Sequence, residues 1–142
     1  MKHLKVLLLM SLFCLVFFAG CGSAQAGQDP TTLQVTRMDQ LSKDHPGLHS
    51  WTITDAHAVQ QLFQEIPNLP EHQNHGADTC ARPRYTYTLE FLAGTKRLQK
   101  DELYTYCFTL TLEDGSQRDP TATFDSLLSG MLHLSVQDLR GW

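Results

Sequence analysis

Within the stretch EHQNHGADTC, residues 71–80, four side chains can donate to a metal ion: Glu71, His72, His75 and Asp78. Zinc accepts imidazole nitrogen and carboxylate oxygen alike, so this donor set has the right chemistry. The spacing allows the two imidazoles to converge in a loop without requiring it, and the competing reading is a polar surface loop joining a helix to a strand. His45 and His49 flank Pro46-Gly47 and read as turn and strand-end residues rather than ligands. No G-x-S-x-G elbow, H-E-x-x-H helix or glycine-rich phosphate loop occurs in the sequence. The carboxylate pairs Asp101/Glu102 and Glu113/Asp114 fall at expected strand ends and turns, where they read as solubilising. The chain is therefore expected to be non-enzymatic, with no cofactor.

The elements that must position these residues follow from periodicity. TTLQVTRM (residues 31–38) and HSWTI (residues 49–53) read as strands on either side of a loop with a His45-Pro46-Gly47 turn. Thr54 or Asp55 can cap a helix whose Val59, Leu62, Phe63 and Ile66 form one apolar stripe, and Pro67 and Pro70 stop it. RYTYTLEF (residues 84–91) alternates strictly, with Tyr85, Tyr87, Leu89 and Phe91 on one face. YTYCFTLTLEDG (residues 104–115) predicts one further strand. Its Tyr104, Tyr106, Phe108, Leu110 and Leu112 share the apolar face, with Thr105, Cys107, Thr109 and Thr111 on the other. A turn at residues 93–95 and a more polar strand lie between the two, and Asp114-Gly115 turns the chain toward a short segment around Gln117.

A second helix is expected with Asp119 as its cap, Pro120 in its first turn, and a stripe of Phe124, Leu127, Leu128 and Met131. Ser135 and Asp138 form a capping box for a terminal turn. Together these predict an α+β fold of two layers, an antiparallel sheet with two amphipathic helices on one face. The opposite face, with Thr86, Thr88, Thr109 and Thr111, is left toward water as a candidate interaction surface.

The N-terminus supplies an address. Lys2 and Lys5 precede an uncharged, mostly apolar run over residues 6–20, the layout of a secretory signal peptide and short for a membrane span. Phe18-Ala19-Gly20 directly before Cys21 resembles the lipobox of bacterial lipoproteins, with Phe18 where an aliphatic residue is commoner. That resemblance implies cleavage before Cys21 and a diacylglyceryl group on its sulfur. Ala24-Gln25-Ala26 offers a rival site for ordinary release. On the lipobox reading, residues 1–20 are the signal, 21–30 a flexible tether, and 31–142 a single domain. The expected location is the extracytoplasmic face of a membrane in the cell envelope, held by lipid. Beyond residue 52 the order of helix, cysteine-containing loop, YTYTLEF strand and second cysteine is similar to small bacterial extracytoplasmic proteins of unassigned role.

Cysteine usage agrees with export. Cys14 leaves with the signal and Cys21 carries lipid, so Cys80 and Cys107 remain as an even pair in an oxidising compartment. A disulfide between them is predicted. The net charge is −4, and loss of Lys2 and Lys5 reduces eleven basic residues to nine against fifteen acidic ones. A nucleic-acid partner, which needs a concentrated basic surface, is not expected. The expected partners are the membrane, through the lipid, and an unidentified protein or small ligand.

Overall fold

The computed structural model describes residues 28–39, 47–73, 84–105 and 107–141. Among these described residues six strands form one antiparallel sheet: β1 (Thr32–Asp39), β2 (Leu48–Ile53), β3 (Tyr85–Ala93), β4 (Lys96–Tyr104), β5 (Thr109–Thr111) and β6 (Gln117–Arg118), in the order β2-β1-β3-β4-β5-β6. Three helices accompany them among the described residues, α1 (Ala56–Glu65), α2 (Ala122–Leu132) and α3 (Val136–Arg140), and α1 runs on into a 3-10 turn at Ile66–Asn68. The expected α+β fold is present.

Alternation in the sequence explains which face of the sheet is dry. Leu33 and Val35 of β1 stand opposite Phe91 and Leu89 of β3, and Tyr87 stands opposite Leu103, which in turn faces Leu110. All seven are fully buried, and they pack in one core with Val59, Leu62 and Ile66 of the first helical segment and Phe124, Leu128 and Leu132 of α2. Each such side chain contributes roughly 1.5–3 kcal/mol by leaving water, so this shared face is what holds the helices to the sheet.

Asp55 caps α1, its carboxylate accepting from the amides of His57 and Ala58 at 3.1 and 3.2 Å. Pro67 enters only after the last α-helical turn, where the chain tightens. The path from α1 then carries the chain across the covered face, from the β2 edge to the β6 edge, where Glu71 forms an isolated bridge with Arg118.

Two expectations need correction. Residues 104–112 are not one strand: β4 ends at Tyr104, Thr105, Cys107 and Phe108 lie in a turn, and β5 begins at Thr109. The turn contains neither glycine nor proline, and Phe108 supplies the reversal by adopting φ +48°. Because Tyr104 pairs with Thr109, both lie on the face away from the helices, while Leu110 lies with the core. The continuous alternation in the sequence thus conceals a change of direction. The second correction concerns α2. It starts at Ala122 with Thr121 as its cap, the hydroxyl accepting from Phe124 N at 3.2 Å, so neither Asp119 nor Pro120 plays the expected part. The final expected cap is present: Ser135 Oγ accepts from Asp138 N at 3.0 Å and donates to the Asp138 carboxylate.

Candidate functional site

The 71–73 segment reaches β6 by backbone hydrogen bonding, His72 N donating to Gln117 O at 3.0 Å, while Asp119 N donates to Pro70 O at 2.9 Å. This pairing brings the half-buried imidazole of His72 beside Asp119, with Nδ1 to Oδ1 at 2.6 Å. A carboxylate can only accept, so the neutral imidazole carries its hydrogen on Nδ1 and leaves Nε2 as the acceptor. Glu71 goes elsewhere, its carboxylate 3.3 Å from the Arg118 guanidinium. Of the four metal donors expected from the sequence, the two in described positions are thus engaged with separate partners. His75 and Asp78 lie outside the described residues. Among the described residues no group of three or more His, Cys, Asp or Glu side chains is placed to hold a metal ion. The His72/Asp119 dyad alone can offer one nitrogen to a metal, or accept one proton.

The outer face of the sheet carries the other candidate surface. Its central row runs Ser50, Thr36, Thr88, Glu102, Thr111 and Gln117 across all six strands. A second row runs Leu48, Met38, Thr86, Tyr104 and Thr109. Thr86, Thr88 and Thr111 are half-buried there. Thr109 is only 5% exposed, which removes it as a contact residue. Tyr104 Oη donates to Glu102 Oε2 at 2.6 Å, and this bond to a carboxylate, with burial second, raises the phenol pKa. Comparison of the chain with protein-family models, curated proteins and solved structures found no match.

Cys107 lies in the β4–β5 turn, not on a strand face, and it is disulfide-bonded. Cys80 and Cys21 lie outside the described residues. Beside Cys107, the Phe108 ring is covered by the Arg140 guanidinium at 4.1 Å, and Arg140 also donates from Nε and Nη2 to the buried carboxylate of Asp125. This contact ties the turn to α2 and α3.

Sequence reasoning missed two acids. Asp119 orients a histidine instead of capping a helix. Asp101 is not at a strand end; it sits inside β4 opposite Leu89, fully buried on the helix side. Its Oδ2 accepts from Gln99 Nε2 at 2.7 Å, and Oδ1 has no hydrogen-bond partner among the described residues. Burial pushes its pKa up to about 6, with Glu113 and Asp114 adding to the rise, while hydrogen bonds from Gln99 and the Glu113 amide oppose it. The register was the missing signal: the irregularity between Phe91 and Leu92 in the β3–β4 pairing sets which β4 residues face inward.

Proposed function

We propose that this chain is an extracytoplasmic lipoprotein, cut before Cys21 and anchored by lipid on that sulfur, whose folded domain binds a partner instead of catalysing a reaction. The observation that carries this reading is the placement of Phe18-Ala19-Gly20-Cys21 directly at the end of the uncharged run. One acyl chain holds a protein only marginally, whereas a diacylglyceryl group gives a stable anchor at about 0.8 kcal/mol per buried methylene. The tether of residues 21–30, rich in Gly, Ser, Ala and Gln, gives the domain reach from the surface. The hydroxyl-rich outer face, with Thr36, Thr86, Thr88 and Thr111, is the proposed contact surface. Cys80 is the proposed disulfide partner of Cys107. Intact mass spectrometry of the protein from its own membrane tests the anchor: the expected species begins at Cys21 with acyl mass added, and Cys21→Ser abolishes both. A mature chain beginning at Gly27 without fatty acid overturns the reading.

One observation favours a second reading, a metal-binding accessory role. Metal-ligating histidines characteristically give their other ring N–H to a carboxylate, and His72 does so to Asp119. On this reading Nε2 of His72 and a nitrogen of His75 share the ion. Stoichiometric zinc uptake in a calorimetric titration, lost in both His72→Ala and His75→Ala, is the expected result; no heat of binding with the parent chain ends it.

A further inference from the structure

The two outer strands of the sheet are treated differently. β6 is two residues long, and its outer side is met by the 71–73 segment through the Glu71–Arg118 bridge and the His72 N to Gln117 O bond. β2 is six residues long and, among the described strands, has a neighbour on one side only. Natural sheets guard such edges with charges, proline, bulges or shortness. The β2 sequence LHSWTI contains no lysine, arginine, acid or proline.

The hydrogen-bond phase of the β1–β2 ladder shows which groups face outward. Asp39 N donates to Gly47 O at 3.3 Å, in the register that pairs Met38 with Leu48. Opposed residues in an antiparallel ladder alternate between pairs that exchange hydrogen bonds and pairs that do not. His49 and Trp51, in phase with Gly47, therefore direct their amides and carbonyls toward β1. Leu48, Ser50 and Thr52 direct theirs outward. Next to this edge, Leu48 and Met38 form a cross-strand pair on the outer face that is 64% and 45% exposed, two of the three large apolar side chains so exposed among the described residues.

We propose that the β2 edge pairs with β2 of a second copy of this chain, antiparallel and centred on Ser50. The strand is self-complementary about that residue. Ser50 meets Ser50, Leu48 meets Thr52, and the outward amides of all three find carbonyls. On the helix side His49 of each copy meets Trp51 of the other, extending a row in which His49 and Trp51 already stack at 6.2 Å and Trp51 packs near Tyr87 at 6.5 Å. An uncharged strand brings no like charges together when it meets itself, which favours a second copy as its occupant. The inference is independent of whether Cys21 carries lipid.

The test uses the full chain in intact cells expressing it, with oxidative cross-linking compared against the parent treated identically. Ser50→Cys is expected to yield a covalent dimer, because residue 50 faces its own copy. Leu48→Cys is expected to yield at least fivefold less, because the two 48 positions lie at opposite ends of the paired segment. With a lysine-directed cross-linking reagent in place of oxidation, Ser50→Pro, which deletes a central outward amide, should abolish the captured dimer. Ser50→Glu, at an exposed position and adding no amine for the reagent, should weaken it through like charges at the centre. A monomeric Ser50→Cys, equal linking of both cysteine variants, an undiminished dimer in Ser50→Glu, or linkage of Ser50→Cys to a different polypeptide overturns the proposal.

Discussion

Asp101 is a carboxyl group buried inside β4 opposite Leu89. Its pKa in the fold is about 6, against 3.8 in the unfolded chain, with desolvation the leading cause. Between those values the folded form binds more protons than the unfolded one, so stability falls as pH rises through the window and levels off above it. Below pH 3.8 both states are protonated and the group costs nothing. At neutral pH the penalty is about 3 kcal/mol, from roughly 1.4 kcal/mol per pH unit. Asp101→Asn removes the charge while its carbonyl still accepts from Gln99, although the new amide needs a partner where Oδ1 lacks one. Urea denaturation should show the variant about 1–2 kcal/mol more stable than the parent at pH 7.5, with the gain gone at pH 4. A variant equally destabilised at both pH values would mean that the carboxylate is satisfied in the fold. The same residue shows how a local reading goes astray: KDEL resembles a solubilised strand end until pairing with β3 turns Asp101 inward.

At the scale of elements, Thr121 joins two helices through one hydroxyl. It accepts from Phe124 N to begin α2 and donates to Glu65 Oε1 at 3.1 Å, at the end of α1. Loss of a threonine cap costs about 1 kcal/mol, and loss of the bond to a carboxylate adds to that. Thr121→Ala is therefore expected to lower stability by about 1–2 kcal/mol in chemical denaturation, and Thr121→Ser by much less. An alanine variant as stable as the parent would remove the cap from this account. Asp119→Ala, in contrast, should leave helix content unchanged, because Thr121 and not Asp119 caps α2. What the sequence made legible at this scale was pattern: the α1 stripe of Val59 and Leu62 continued by Ile66 of the 3-10 turn, the β3 alternation of Tyr87, Leu89 and Phe91, and the caps at Asp55 and Ser135. Pattern did not reveal the turn after Tyr104, because a phenylalanine took the left-handed conformation usually left to glycine. Nor could it join His72 to Asp119, which stand 47 residues apart and meet only through β6 pairing.

For the whole molecule, the long-range constraint of interest is the disulfide at Cys107. With Cys80 as its partner it closes a loop that contains β3 and β4, the strands at the centre of the sheet. Closing such a loop stabilises a chain by roughly 3.5 kcal/mol on the chain-entropy account, chiefly by restricting the unfolded state. The Cys107 turn is also held in the folded state by Phe108 beneath Arg140, and through Arg140 by the buried Asp125. Folding contacts and covalent constraint therefore converge on the same corner, joining the sheet to α2 and α3. A bond between Cys80 and Cys107 predicts a particular pattern of non-additivity. Cys80→Ser and Cys107→Ser should each cost up to about 3.5 kcal/mol, and the double variant no more than either single one, because the first substitution already opens the loop. Denaturation under non-reducing conditions measures all three, and thiol titration of each unfolded single variant should find one thiol more than in the parent. Costs that sum in the double variant would show that the two sulfurs act separately, and Cys107 would then have to be joined to another cysteine of the chain.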